Sequence, residues 1–298
     1  MPGGRREPVS SNVFLTLDGV KCGPVRRADG GFVRGEVVTV AGGSDVIPKK
    51  GIGSVQYEPF VVDVGLAMEP PVYDWVAESW KADLIRKTGS LVTADYKLEA
   101  KQEREFLNAL LTETTFPALD ASSKDPGFLR LKFQPELTKD TKAAGKQNGA
   151  GTKAKQWLTS GFRLQIDGLD CTKVSKIESF SVKRAVVVEA IGDLPKPGLQ
   201  PGRLEFPNLQ ITLSEVSAKT WFDWLEDFVI KGNSDQSNER SGTIQLLAAD
   251  AKTELGRIKL FGLGIFRIAT PTAGGGGDKV KRVTAELYCE RMELVVKP

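Results

Sequence analysis

A single stretch that occurs twice constrains this chain more than any other feature. Residues 13–22 read VFLTLDGVKC and residues 162–171 read FRLQIDGLDC. Each copy alternates apolar and other residues and then reaches Asp-Gly, the pattern of a half-buried strand entering a tight turn. An Asp-Gly turn alone means little. Here the turn and the cysteine after it recur with Asp18 and Asp167 149 positions apart (167 − 18), half of the 298-residue chain. That spacing predicts a duplicated domain.

The spacing persists along the chain. Residues 32–40 (FVRGEVVTV) and 181–190 (SVKRAVVVEA) are rich in β-branched residues and predict strands. Each leads toward a tip rich in Gly, Pro and Lys: Pro48, Lys49, Lys50 and Gly51 in the first copy, Pro195, Lys196, Pro197 and Gly198 in the second. These are long hairpins whose tips hold little apolar surface. Two readings stay open for them, a solvated loop or an arm that orders only against a neighbouring subunit. Strands follow at 57–64 and 206–213, each associated with a proline, and then a helix. In the second copy Trp221, Trp224, Leu225 and Phe228 fall at i, i+3, i+4 and i+7, with Ser217 as the expected N-cap and Gly232 as the stop. In the first, Pro70 and Pro71 open the helix and Val72, Trp75, Val76 and Trp80 form the stripe. The tryptophans read as core anchors rather than a ligand box.

Asp74-Trp75 and Asp223-Trp224 keep the same offset; after the helix it slips to 153 between Gly89 and Gly242 (242 − 89). Residues 105–115 and 258–269 then correspond, each followed by a proline, and each copy closes with a strand, 128–133 and 283–296. The four glycines 274–277 lack P-loop spacing and open no helix, so they read as a turn. Between the copies, residues 139–155 (KDTKAAGKQNGAGTKAK) are poor in apolar side chains and predict a flexible tether. The expected layout is an arm at 1–11, a first domain at 12–137, a linker at 138–156 and a second domain at 157–298.

Composition excludes several classes. A net charge of +3 is too small to argue for nucleic-acid binding by bulk charge. Histidine is absent, which removes His-dependent triads and His-containing zinc sites. Three cysteines (Cys22, Cys171, Cys289) do not make a disulfide framework and fit synthesis in a reducing compartment, the cytoplasm. Cys22 and Cys171, equivalent positions in separate copies, read as small buried apolar groups. There is no apolar run of about 20 residues, so no membrane insertion is expected, and the first residues lack the apolar core of a secretory signal. No cofactor and no metal site is expected, and acidic pairs such as Glu226-Asp227 fall on the polar face of a helix. The chain does not read as an enzyme.

Each half thus reads strand, long hairpin, strand, helix, then three or four strands. This resembles the tail tube family of contractile-tailed phages and contractile injection systems. The second half carries the resemblance best: residues 162–168 resemble the family's opening strand, Lys196-Pro197-Gly198 with 206–213 its loop and following strand, 221–224 its helix start, 242–246 its Gly-x-Ile-x-Leu strand and 285–293 its closing strand. The first half departs more, with Pro70-Pro71 at the helix start and a loosely matching last strand. The resemblance implies a mainly β fold: two tandem β-barrel or β-sandwich-like domains, each with one flanking α-helix and a long β-hairpin.

It also implies a structural role. Members of the family stack as hexameric rings around a channel, usually from single-domain chains. A tandem copy allows three chains to supply six domains to one ring, or six chains to form two layers. The implied partners are further copies of the chain, sheath and baseplate proteins, and DNA or protein cargo in the lumen. The implied location is a phage virion tail or an injection particle, and the hairpin-tip residues named above are the candidate inter-ring contacts. A baseplate hub or a tail terminator built from two tube-like domains is the alternative.

Overall fold

A computed structural model describes residues 12–40, 47–81, 85–147, 157–189, 198–270 and 281–297. The expected arm at 1–11 and the glycine run at 274–277 lie outside them. The first half comprises β1 (Asn12–Leu17), β2 (Val20–Val25), β3 (Arg27–Gly30), β4 (Val33–Val40), β5 (Lys49–Tyr57), β6 (Phe60–Val64), α1 (Pro70–Trp80), β7 (Arg86–Ala94), β8 (Ala100–Phe116), β9 (Leu119–Asp120), β10 (Leu129–Gln134) and β11 (Leu137–Lys142). The second comprises β12 (Trp157–Ile166), β13 (Val174–Ile177), β14 (Phe180–Glu189), β15 (Gly198–Glu205), β16 (Leu209–Ser214), α2 (Lys219–Leu225), β17 (Arg240–Ala248), β18 (Glu254–Ala269) and β19 (Arg282–Val296). The chain is mainly β, as the sequence predicts.

Two large sheets share one strand order. Leaving aside the outermost strands β2 and β9, the first runs β1-β7-β8-β10-β6-β3 and the second β12-β17-β18-β19-β16-β13. The correspondence extends to irregularities. β8 and β18 each carry a bulge opposite the start of the preceding strand, with a left-handed residue in it, Asn108 (φ 50°) and Gly262 (φ 61°). Asn and Gly are the residues that tolerate this conformation at least cost.

Alternation puts one face of each strand inward, and a single apolar cluster runs through both halves. Phe60, Phe106 and Phe133 pack with ring centroids 4.9–5.4 Å apart beneath Trp75. Helix α1 starts on Pro70, whose missing N–H would be unpaired there in any case, and buries Val72, Trp75, Val76 and Trp80. Helix α2 buries Trp221 and Trp224, runs on through a π-helical turn (Glu226–Ile230) that buries Phe228, and stops before Gly232 at φ +77°. Among the described residues no helix is long and apolar enough to cross a membrane.

Three local expectations are revised. Ser217 is not the N-cap of α2; it belongs to a preceding 3-10 turn, its Oγ donates to the Ser214 carbonyl, and Ala218 occupies the cap. The two Asp-Gly turns differ. Asp18 and Gly19 both have positive φ and close a two-residue hairpin between β1 and β2, whereas after Asp167-Gly168 the chain leaves the sheet. There Asp170 accepts from Trp221 Nε1 through its carbonyl (2.9 Å) and its N–H donates to Thr220, so α2 holds this segment where β1 in the first half pairs with β2. Finally, the tether expected over 138–156 begins as structure: residues 138–142 belong to β11, which pairs with β8 from Leu137↔Leu107 to Lys142↔Gln102. A polar strand suffices there because β8 already offers a ready edge.

The cysteines are free thiols, Cys22 and Cys289 buried and Cys171 half-buried. Burial pushes each up to about 11, so they stay protonated and behave as small apolar groups.

Candidate assembly interface

Both halves carry the long hairpin, and the two are equivalent residue for residue. β4 and β5 pair from Val33↔Tyr57 to Val40↔Lys49, with an irregularity between Gly35 and Val37. β14 and β15 pair from Lys183↔Glu205 to Glu189↔Gly198, with the irregularity between Arg184 and Val186. From Arg34↔Gln56 to Val40↔Lys49 every pair in the first hairpin lies 149 positions before its match in the second (183 − 34 for Arg34 and Lys183), and the first hairpin pairs one position further, at Val33↔Tyr57. Of the predicted tip residues, Pro48, Lys49, Lys50 and Gly51 are exposed at the start of β5, and Gly198 opens β15 half-buried. Pro195, Lys196 and Pro197 lie outside the described residues.

The surroundings of the two hairpins differ. Besides its hairpin partner β15, β14 pairs with no strand of its own half; it joins the first sheet, with Phe180↔Phe116, Ser181↔Thr115, Val182↔Thr114 and Lys183↔Glu113. The length of β8 makes this possible. β7 covers one edge of β8 up to Leu110, and β14 takes up that edge from Glu113 onward, while β10 and β11 cover the other. The exchange is reciprocal, since β9 pairs with β13 through Leu119↔Ile177.

Side chains seal the joint. Phe116 stacks on Phe180 at 5.1 Å and 10°, and Trp80 meets Phe206 edge-on at 6.4 Å. Helix α1 packs chiefly against β19, so it bridges the two sheets. Ser179 Oγ donates to the Phe116 carbonyl at 2.7 Å, and Thr115 and Ser181 hydroxyls lie 2.7 Å apart. Arg184, buried, donates to the Ser79 carbonyl near the end of α1; burial lowers its guanidinium pKa but the group remains charged. Arg86 pairs with Glu136 and donates to the Leu199 carbonyl, clamping β15. Apart from Trp80, which the helical stripe marks, these joint residues do not stand out in the sequence, because the joint brings together side chains from opposite halves.

A cleft of about 450 Å³ lies along the joint. Val55, Gln56 and Tyr57 of β5 form one wall, Thr112, Lys132 and Gln134 the floor, and Val186 and Leu199 of the second hairpin the far wall. A second cleft of about 530 Å³ repeats this at the outer end, with Leu204, Glu205 and Phe206 as one wall and Cys289 and Glu290 below. Lys183, Ala185 and Arg203 of the second hairpin complete its lining. Among the described residues no group of three or more Asp, Glu, Cys or His side chains is placed to hold a metal ion.

No protein-family model matches the sequence, and no curated protein matches it. Among solved structures, the tube-terminating cap of the anti-feeding prophage aligns at 15% identity and a TM-score of 0.39, over 48% of this chain and 96% of its own. The sheath-tube complex of the extracellular contractile injection system PVC aligns at 17% identity and 0.31, over 46% and 88%. Hcp1 from Flavobacterium johnsoniae aligns at 10% identity and 0.28, over 46% and 95%.

Proposed function

We propose that this chain is a structural ring component of a contractile tail or injection apparatus, built from two tandem modules (12–137 and 157–298), and that it walls a conduit for DNA or protein. The observation that carries this reading is the in-chain joint. A strand from one module continues the sheet of the other along β8, and α1 crosses the seam onto β19. A closed wall needs sheets continued from unit to unit, because a ring of paired strands leaves no exposed edge. The sequence resemblance to tail tube proteins points the same way. Three chains supplying six modules form the ring, sheath and baseplate proteins are its partners, and cargo passes without sequence-specific contact.

A second reading, a hub or terminator ring, draws on the inequality of the modules. β2 has no counterpart among the described strands of the second half, and β11 is a separate strand where the second half has only the continuation of β19. A ring of three such chains presents alternating surfaces to whatever stacks on it, which suits a change of symmetry at a tube end. Electron microscopy of the purified full-length protein, alone and with baseplate components, tests both. Rings with a central channel are expected, stacked along a tube for the first reading or confined to an end for the second. Monomers at every concentration, with and without those components, would sink the proposal.

A further inference from the structure

We propose that the first hairpin, β4–β5, docks on the second half of the next copy of the chain, laying β4 along the free edge of β18 just as β14 lies along β8 within the chain. This rests on the reading of the chain as a ring component and names the partner surfaces that close the ring.

The acceptor edge is present and uncovered. β17 pairs with one edge of β18 only as far as Leu263, while β19 covers the other edge to Ala269. Among the described residues nothing pairs with the first edge at Arg267, Ile268 and Ala269. Sheet register makes these the counterparts of Glu113, Thr114 and Thr115, the residues that receive β14: Lys132↔Glu113 in one sheet corresponds to Glu286↔Arg267 in the other. An unpaired edge of this kind is a template for strand addition.

The donor is present and uncovered too. β4 and β5 form a two-stranded sheet of their own. Val33 is 62% exposed where its counterpart Val182 is 2% exposed, and Val37 and Ile52 are 62% and 70% exposed. The acceptor offers apolar surface in return. Val229 of the π turn, half-exposed, stands where buried Trp80 seals the inner joint, and Phe266, also exposed, lies in the bulge beside the free edge.

Charge supports the pairing. In the inner joint Leu199 of the hairpin meets the Arg86–Glu136 pair. The counterpart of Leu199 is Lys50 (199 − 149), and the counterparts of Arg86 and Glu136 are Glu239 (86 + 153) and Glu290 (136 + 154). An apolar residue over a neutralised pair has become a lysine facing two carboxylates, with Glu239 held in place by the Tyr288 hydroxyl at 2.8 Å. One contact does not carry over. The counterpart of Lys183–Glu113 sets Arg34 beside Arg267, which Glu286 already neutralises. Lys50 therefore acts between neighbours in one ring, not between stacked rings. The contact is head-to-tail, so it propagates until the ring closes.

The test uses the full-length chain in native mass measurement and hydrogen exchange. Lys50→Glu and Glu290→Lys should each lower assembly at least tenfold, and the double variant should restore it. The amides within 267–269 that point away from β19 should be protected in the assembly and exchange freely in Lys50→Glu, while those of 113–116 stay protected throughout, which reports that the fold is intact. If both single variants assemble normally, or those amides within 267–269 exchange freely in an intact ring, the docking proposal falls and the ring-component reading stands. If the unmodified chain never assembles, both fall.

Discussion

The two hairpins have one register and one bulge position, yet one is sealed into a joint and the other stands clear. Val182 and Leu199 are buried; Val33 and Lys50, at the same places, are exposed. Nothing in the local pairing explains this. The difference lies in what each hairpin meets: the second finds the far end of β8 inside its own chain, and the first pairs with no other strand among the described residues. Burial here is set by the supply of a neighbour, and apolar residues left on a strand without one mark a surface with somewhere to go.

The comparison breaks most visibly at the seam. Trp80 is 3% exposed, with its ring 6.0 Å from that of Phe116 and 6.4 Å from that of Phe206. Trp80→Ala removes a large buried ring from a closed site and should cost about 3–5 kcal/mol. Val229→Ala, at the matching outer position, should cost the unassembled chain less than about 1 kcal/mol, because the side chain is half in water already. Denaturant midpoints with an unchanged slope read both, at a concentration and ionic strength that keep the chain monomeric. Equal costs would mean that the inner seam is no more built than the outer one.

A smaller effect is expected at Arg184, whose place in the first hairpin is taken by Gly35. Arg184→Ala leaves the Ser79 carbonyl without its buried donor and should cost about 1–3 kcal/mol. A methyl group added at Gly35 would meet only the Ile52 side chain, with Cγ2 at 3.0 Å. Gly35→Ala should therefore shift stability by under about 1 kcal/mol in either direction. The same midpoints check it, and a neutral Arg184→Ala would show that the arginine merely covers the helix end.

The hairpins, the helices and the succession of elements along the chain were legible in the sequence because all three rest on local pattern. The apolar period of Val72, Trp75, Val76 and Trp80 needs no knowledge of a partner, and a constant offset aligns two copies without reference to space. The joint was not legible. Alternation tells which face of β14 is apolar and nothing about which edge it will find. Phe116, Phe180 and Phe206 look like ordinary core residues until two halves are brought together. The linker misled for the opposite reason: Thr138 and Asp140 carry no apolar period, and β11 forms because β8 is long enough to recruit a polar strand. Ser217 misled because the chain turns once, as a 3-10 turn, before α2 begins.

That recruited strand sets up the gentlest test. Across β8 and β11, Arg104 grips Asp140 with Nε–Oδ1 at 2.6 Å and Nη2–Oδ2 at 2.9 Å, and its guanidinium also lies 4.2 Å over the Phe32 ring. At the matching place in the other sheet, Ile258 faces Leu294, both buried. The hydrogen bonds from Arg104 hold the Asp140 carboxyl below its ordinary value. A carboxyl lowered by folding stabilises the fold above its unfolded pKa, about 3.9, and that contribution fades as pH falls through the folded value. Asp140 is half in solvent, so the pair is worth about 0.2–1 kcal/mol. Acid below about pH 4 should thus lower the protection of β11 amides, measured against the unfolded-chain rate at the same pH, while the β18–β19 pairing, held by apolar contact at this register, keeps its protection. Asp140→Asn should show the lower β11 protection already at pH 7 and little further change in acid. Equal acid sensitivity at both edges would mean that Arg104–Asp140 is not what fastens β11.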